Sequence, residues 1–558
     1  MSRIIFLSDV FDVKNEHTVP RSHFIDEERR QKLYQNSLKE TYEDFEFLSH
    51  NNPVGNVKMP KYTFWSRYAG PYVVASNIKK KLPHWDVVVI DWFTKIPEED
   101  FHDYLKEFIT DDTEYIALSL TFLHNPFNPR QNTFNLWKFN HEDLFDWFFE
   151  IKAMKPDIKF IVGGAIVDTL FKKHIIAKSE QPLPEVMQYF IDYAFQGYSE
   201  DTIIDLLTGN LSPLNTFEKD GVKFVNEPRT AGLGAPLYVN EWQENWNIRP
   251  KEWLPLEISK GCRFGCKFCF YDHSGTVIKQ KDDLRKELIQ NYEKYGITGY
   301  QLTDDTVNDS PQKIDMMYDV IKSLPFDMEW IAYTRPDMFH KYPEMYYKML
   351  DMGCRGMFLG VETLTHKAGK IAGKGLHPDK MKEILEWLRK EGGDEVFILA
   401  SFIIGLVGET EETLMETARW LRDQRVLDKA QYEILFVTDV VSDIAKAEFS
   451  EKNQKFGIQE IRFSPEYYWR HESLDLNDCK RIALEWEKMM ADHPKTLFER
   501  HANFNTSFWA YPRVRSFGYD HHEATRIMSA REVPVDVYIQ NLEWINNYHQ
   551  ELLMLNKK

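Results

Sequence analysis

The sequence predicts an α/β protein with an N-terminal doubly wound domain over residues 1–210 and a partial (β/α)6 barrel over 254–442. A linker at 211–253 joins them, and a mainly helical C-terminal region follows over 443–558. Two observations carry this. Apolar strand-like runs alternate with amphipathic helical stretches, the pattern of parallel α/β architecture, and they do so in two sets with different plans. The rhythm then stops at about Asp443. Length agrees, since 558 residues with 43% hydrophobic content suffice for about three or four domains.

In the first set, Ile4–Leu7, Asp86–Ile90, Tyr115–Leu120, Lys159–Val162 and Tyr193–Gln196 read as strands. Pro71–Lys81, Glu98–Ile109, Glu142–Met154 and Glu200–Leu207 read as helices. Five short strands with intervening helices fit an open sheet whose ligands bind beyond the carboxyl ends of the strands. Residues 9–69 make a long first crossover; its His17, His23 and His50 lack metal-like spacing and read as solvated.

The second set has strand candidates at Leu254–Lys260, Gly299–Thr303, Met328–Tyr333, Gly356–Val361, Val396–Leu406 and Tyr432–Thr438. Helical stretches separate them at Lys281–Tyr295, Pro311–Ser323, Pro343–Met352, Pro378–Glu391 and Glu411–Arg425. Six such units make a partial barrel, whose active groups belong at the carboxyl ends of the strands.

Leu211–Trp253, rich in Pro, Asn, Gly and Trp, reads as a linker in which Trp242, Trp246 and Trp253 staple the domains. Past Asp443, Asn477–Asp492 and Val535–Leu555 are amphipathic helices. The aromatic, arginine-bearing stretch Leu497–Tyr519 is a candidate substrate lid or, equally, a plain helical core.

The chemistry is announced by Cys262, Cys266 and Cys269, at C-x3-C-x2-C spacing just after the first barrel strand. Thiolates are the usual ligands of an iron–sulfur cubane, which needs four; three leave one iron free for something that is not protein. The rival is a closed zinc site in which His273, four positions after Cys269, supplies the fourth ligand. Five cysteines in so long a chain do not make a disulfide scaffold. Cys354 falls at the opposite end of the barrel and Cys479 in a C-terminal helix; both read as small buried residues.

The run Gly261-Cys-Arg-Phe-Gly-Cys-Lys-Phe-Cys269 resembles that of the radical S-adenosylmethionine (SAM) enzymes. The resemblance implies a [4Fe–4S] cluster whose free iron is chelated by SAM. Reductive cleavage of SAM then yields a 5′-deoxyadenosyl radical that takes hydrogen from a substrate. It also implies roles for the other strand ends. Asp304 and Asp305 would meet the amino group of SAM, and Arg335 would be a carboxylate anchor or substrate contact. Gly360 and Glu362 would approach the ribose, and Gly405 the adenine, which Phe268 would border. Each has an ordinary reading as a cap, turn or solvated residue. Four in order at successive strand ends decide for the cluster over zinc.

The N-terminal set is similar to the cobalamin-binding domain of one radical SAM subfamily, through Gly70-Pro-Tyr, Ser119-Leu-Thr121, Gly163-Gly164 and Gly197-Tyr-Ser-Glu200. Ser119, Thr121, Gly163 and Gly164 would then approach the corrin or its nucleotide tail. No Asp-x-His-x-x-Gly occurs, so no histidine is offered to cobalt, and the usual Gly-Glu-Gly-Glu is Gly197-Tyr198-Ser199-Glu200. The resemblance implies C-methylation of a small molecule or peptide, with a methyl group passing from SAM through cobalt. The alternatives are a cobalamin-free cyclisation, rearrangement or oxidation, and a non-catalytic cluster or zinc sensor. The cofactors would be a [4Fe–4S] cluster, SAM and cobalamin, with an electron donor such as flavodoxin or ferredoxin as partner. A net charge of −18 argues against a general grip on nucleic acid. No apolar run approaches the roughly 20 residues that span a bilayer, and the expected location is the cytoplasm.

Overall fold

Five strands of the first set pair in parallel: β1 (Arg3–Ser8), β2 (Asp86–Asp91), β3 (Thr113–Ser119), β4 (Lys159–Gly163) and β5 (Ile191–Gln196). The full sheet order is β2-β1-β3-β4-β5-β7-β6, where β6 is Thr216–Lys219 and β7 is Val222–Asn226. The order reverses between β1 and β3, which is the doubly wound plan with its ligand crevice at the carboxyl ends of those two strands. The structure, a computed structural model, describes residues 2–8, 66–93, 98–119, 141–180, 185–269, 272–435, 448–463, 466–500, 510–530 and 534–557, with isolated residues between. His17, His23, His50 and Thr121 lie outside the described residues.

The expected linker is more structured than its composition suggests. It contributes β6 (Thr216–Lys219) and β7 (Val222–Asn226), an antiparallel hairpin whose second strand pairs in parallel with β5. Asp220 and Gly221, at φ +50° and +84°, make the turn. Positive φ at both central residues suits the twist of a tight hairpin. Helices Ala165–Phe171 and Glu185–Phe190, absent from the sequence reading, fill the β4–β5 crossover.

The second sheet holds β8 (Leu254–Leu256), with β9 (Ser259–Lys260) and β10 (Val277–Ile278) forming a separate small ladder beside it. Its other strands are β11 (Gly299–Leu302), β12 (Glu329–Thr334), β13 (Cys354–Glu362), β14 (Phe397–Ile404) and β15 (Lys429–Ile434). A hairpin of β16 (Gln459–Phe463) and β17 (Glu466–Arg470) stands apart, and β18 (Leu497–Arg500) adds a seventh parallel strand beside β15. The order is β18-β15-β14-β13-β12-β11-β8, and no closure joins its ends among the described residues, so the barrel is partial. The C-terminal region is therefore not helical throughout. The sixth barrel strand also starts three residues earlier than its apolar pattern suggests, at Lys429.

Strand alternation sorts the barrel side chains. Trp330, Ala332, Met357, Leu359, Ile398 and Ala400 pack in the main core. Ile331, Phe358, Phe397 and Leu399 join Phe508, Tyr511 and Val514 in a separate cluster. Of the candidate lid, Leu497–Arg500 is a strand, and Phe508 and the helix after it pack into the barrel toward the amino ends of the strands. Helix Ala510–Ser516 bonds there through Ser516 Oγ to the Trp253 N–H at 3.0 Å, and through Arg515 to Glu329, the first residue of β12. Deep burial of apolar rings at the closed end of the barrel explains why the aromatic run is placed there rather than over the mouth.

Trp242 and Trp246 sit between the domains, whereas Trp253 packs on Tyr511 of the C-terminal region. The Trp242 ring lies 4.4 Å from Tyr72 while its carbonyl accepts from Tyr295, and Trp246 Nε1 donates to the Val87 carbonyl at 3.0 Å. The last helix, Val535–Asn556, lies on the N-terminal domain, where Tyr548 donates to the Val89 carbonyl and His549 to that of Asp91. Arg67 is fully buried at this junction and donates to Glu252, Tyr72 and the Asn247 carbonyl at 2.6 to 2.7 Å, with Asp91 at 3.3 Å. No described helix is long and apolar enough to cross a membrane.

Removing one member of a buried ion network strands its partners. Arg67→Ala should lower stability by about 3–5 kcal/mol, read as a shift in denaturant midpoint; an unchanged midpoint would remove Arg67 as the junction's anchor.

Candidate active site

The β9–β10 ladder closes a loop that carries all three clustered cysteines. Inside it the Cys262 N–H donates to the Asp272 carbonyl at 2.8 Å and the Cys269 N–H to the Cys266 carbonyl at 3.2 Å. Two outside elements hold the loop: the Lys267 N–H donates to the Ala372 carbonyl, and the Phe449 N–H to the Lys267 carbonyl. Cys262 and Cys266 are buried and Cys269 half-buried, and none is in a disulfide. Burial pushes the Cys262 thiol up. Arg335 Nη1 stands 3.1 Å from Cys266 Sγ, so a positive charge faces the thiolate form. Among the described residues no three His, Cys, Asp or Glu side chains gather round one point, and this holds for the three cysteines as for any set with His273. Three thiolates on one loop suit a cubane, in which each thiolate binds a different iron.

The two acids after β11 face different tasks. Asp304 is enclosed: its carboxylate accepts the Ile258 N–H at 3.0 Å and the Ser259 hydroxyl, and it pairs with Lys313 at 2.7 Å. Asp304 thus has a structural task of its own, anchoring the start of the cysteine loop to Lys313. Asp305 makes no side-chain hydrogen bond among the described residues, and burial followed by the Asp304 charge pushes its carboxyl up to about 7. Arg335 is likewise engaged, holding Asp337 in two bonds of 2.8 and 3.0 Å and lying 4.0 Å over the Phe264 ring. It neighbours Cys266 rather than offering a free anchor.

Glu362 ends β13 at φ +67°, a conformation costly for a non-glycine residue and often tied to function. The register slips between Gly360 and Glu362. A Cβ on Gly360 would meet Glu362 Oε1 at 2.8 Å and Lys374 Nζ at 3.1 Å. Lys374 bonds the Gly360 carbonyl at 2.8 Å, lies 3.4 Å from Glu362 and sits 6.0 Å from the Phe268 ring. Glycine is required at 405 by the protein itself: at φ +97°, a Cβ there would meet Cys479 Sγ at 2.6 Å and Trp469 at 2.8 Å. Glu409 ties the ends of β13 and β14 together, accepting the Gly405 and Leu406 N–H groups at 2.9 Å and the Thr363 hydroxyl at 2.6 Å. Burial pushes its carboxyl up to about 8. Lys374, Lys313 and Glu409 were not singled out in the sequence as site residues. Only Glu409 left a signal, in Gly405-Leu-Val-Gly408-Glu409.

In the N-terminal domain Ser119 ends β3 and Gly163 ends β4, followed by Gly164 at φ +101°. Among the described residues a Cβ on Gly163 would meet only the Phe195 carbonyl, at 3.9 Å. Cys354 starts β13 at the far end of the barrel, its thiol pushed up to about 12 by burial.

Residues 256–421 match the radical SAM superfamily. This segment is a radical SAM domain. Domains of this superfamily use a [4Fe–4S] cluster and SAM. The chain is 27% identical over 183 residues to an uncharacterized methyltransferase of Pyrococcus horikoshii, covering 32% of this chain and 38% of that protein. It is 27% identical over 291 residues to the anaerobic magnesium-protoporphyrin IX monomethyl ester cyclase of Cereibacter sphaeroides, covering 48% and 45%. The chain thus spans less than half the length of these relatives. In fold it is similar to the radical SAM methyltransferase TsrM of Kitasatospora setae, a structure with cobalamin and [4Fe-4S] cluster bound. The TM-score is 0.58 at 13% identity, over 95% of this chain and 99% of that one.

The radical SAM domain's paired acids separate in a pH experiment. The Asp305 carboxyl is raised from 3.8 to about 7 in the fold, so its ionisation costs stability that is absent below about pH 4 and grows up to about pH 7. In ligand-free protein, Asp305→Asn should match the wild-type melting temperature at pH 4 and exceed it at pH 8. Asp304→Asn, by unpairing Lys313, should lower it throughout; equal effects of the two changes would refute the division.

Proposed function

We propose that the chain is a cobalamin-dependent radical SAM enzyme that C-methylates a small molecule or peptide. One observation carries the reading: the carboxyl ends of both parallel sheets meet at the cysteine loop. Tyr198, just past β5, donates to Asp272 of the loop at 3.5 Å, and Lys260 at the loop's start pairs with Glu200. The Ala231 N–H, from the connecting segment, donates to Asp272 at 3.0 Å. A ligand in the N-terminal crevice would therefore face a ligand in the barrel mouth.

When bound, the cluster supplies the electron that splits SAM, and cobalamin carries the methyl group to the substrate. The chain's own residues do the rest. Cys262, Cys266 and Cys269 hold the cluster, with Arg335 favouring the Cys266 thiolate. Asp305, which lacks a partner of its own, receives the ammonium of SAM; a nearby cation favours its charged form against burial. Glu362 accepts from ribose hydroxyls, and Phe268 borders the adenine. Ser119, Gly163 and Gly164 line the crevice for the corrin or its tail, the open backbone of Gly163 admitting what a side chain would exclude. The alternative is a cobalamin-free cyclisation, rearrangement or oxidation; the cyclase name of one relative supports cyclisation as an outcome and says nothing of the cofactor.

Anaerobically reconstituted Cys266→Ala should lose iron and the 5′-deoxyadenosine formed with SAM and dithionite, while Cys354→Ala keeps both; cluster loss in the latter would refute the placement of the barrel. Gly163→Phe should retain iron but not hydroxocobalamin. A wild-type protein that binds no hydroxocobalamin would decide for the alternative.

A further inference from the structure

Arg335 brings a positive charge against a cysteine of the loop, and the chain builds a seat for it. Its backbone N–H donates to Asn308 Oδ1 at 2.8 Å, and its carbonyl accepts from Asn308 Nδ2 at 2.9 Å. Asn308 is fully buried on the turn after β11, where the Val307 N–H also donates to the Tyr333 carbonyl of β12 at 2.9 Å. That same turn reaches the cysteine loop twice. Thr306 Oγ1 lies 3.8 Å from Cys262 Sγ, and Arg263 Nη1 donates to the Asp309 carbonyl at 3.4 Å. The guanidinium is fixed as firmly as the backbone. Its Nε and Nη2 donate to Asp337 at 3.0 and 2.8 Å, and its central carbon lies 4.0 Å over the ring of Phe264, a residue of the loop itself. Nη1 is left to point at Cys266 Sγ, at 3.1 Å. A rigid planar fork held by two of its nitrogens has a set direction for the third.

From this seat we infer that Arg335 sets the reduction potential of the cluster held by Cys262, Cys266 and Cys269, raising it through a charge-assisted N–H···S bond to Cys266. The inference rests on the radical SAM reading. Reduction takes one electron from a donor, which is oxidised, and adds one negative charge to the cluster and its thiolates. Hydrogen bonds to the sulfurs, net charge and solvent exposure tune the potential of such a centre. Arg335 is buried, so little water stands between its charge and the sulfur to screen it. A donor aimed at a sulfur binds it more strongly as the sulfur gains electron density, and therefore favours the reduced form. Asp337 opposes this by offsetting part of the positive charge. Distance decides for the arginine, because Nη1 touches the sulfur while Asp337 bonds the other two nitrogens. Arg335 thus makes the cluster easier to reduce, and Asp337 limits by how much.

The test is a redox titration of the anaerobically reconstituted full chain without SAM, poised with dithionite and mediators and read by the electron paramagnetic resonance of the reduced cluster. Arg335→Met should keep its iron. At the wild-type midpoint its ratio of oxidised to reduced cluster should rise by at least about tenfold, which is about 59 mV for a one-electron couple. Asp337→Asn should shift the ratio the other way, since it strips the arginine of its counter-charge. Side chains that only prop the loop would not move the two midpoints in opposite directions. An unchanged or raised midpoint in iron-replete Arg335→Met overturns the inference. Should Arg335→Met lose its iron, Asp337→Asn decides alone, and an unchanged or lowered midpoint there overturns it. A wild type that takes up no reducible cluster counts against the radical SAM reading and takes the inference with it; a normal wild-type cluster whose midpoint ignores both substitutions sinks the inference and leaves that reading standing.

Discussion

The cysteine loop leaves β8 under the control of one buried carboxylate. Asp304 accepts from the Ile258 backbone and the Ser259 hydroxyl, and its partner Lys313 also bonds Ser259 Oγ and the Thr306 carbonyl. Thr306 in turn lies 3.8 Å from Cys262 Sγ. The start of the loop, the end of β11 and the helix Pro311–Ile321 are thus fixed to one another by charge-assisted bonds with no solvent to compete. A buried ion pair stabilises only when its remaining hydrogen bonds are filled, and here they are. The geometry of the thiols, and hence of everything gathered round them, follows from that knot.

Much of the fold is legible in the sequence because apolar strands and amphipathic helices write different periods. Helix Lys281–Tyr295 matches its pattern to the residue, and most strand bounds fall within two residues of it. The exceptions have physical reasons. The β15 strand opens with Lys429, and Gln431 lies within it; both are buried in the structure, so the strand lacks the apolar signature of its neighbours. Four-residue β18 is too short for a period to show. The β6–β7 hairpin did leave a signal, Asp220-Gly221 between two alternating runs, but it sits among Pro, Asn and Trp that suggested a linker. The aromatic stretch near Phe508 carries no mark of which end of a barrel it fills; only packing against Ile331 and Phe397 decides that.

The site was legible as a set of positions and less so as a set of roles. Cysteine spacing and the order of strand-end groups are sequence properties. Which of two adjacent acids turns inward is not: Asp304 and Asp305 differ by one step of the chain, which moves a side chain from the loop's anchor to the open mouth. Gly405 likewise reads as room for a ligand, and the sequence does not reveal that a side chain there would also meet Cys479 and Trp469 from a distant segment. Arg335 serves Cys266 and Asp337, a pairing that exists only after folding brings the third strand end to the loop.

The free energies divide along the same line. Asp304 and Lys313 satisfy each other, as do Arg335 and Asp337. Glu362 pairs with Lys374 at 3.4 Å while its backbone stays at φ +67°. Asp305 has no such side-chain partner among the described residues, and burial pushes its carboxyl toward neutrality. A carboxyl held at such a cost beside the cysteine loop marks where a cationic ligand would recover free energy. The settled pairs fix the loop and the strand ends around it, so Asp305 is the acid left to respond when such a ligand arrives.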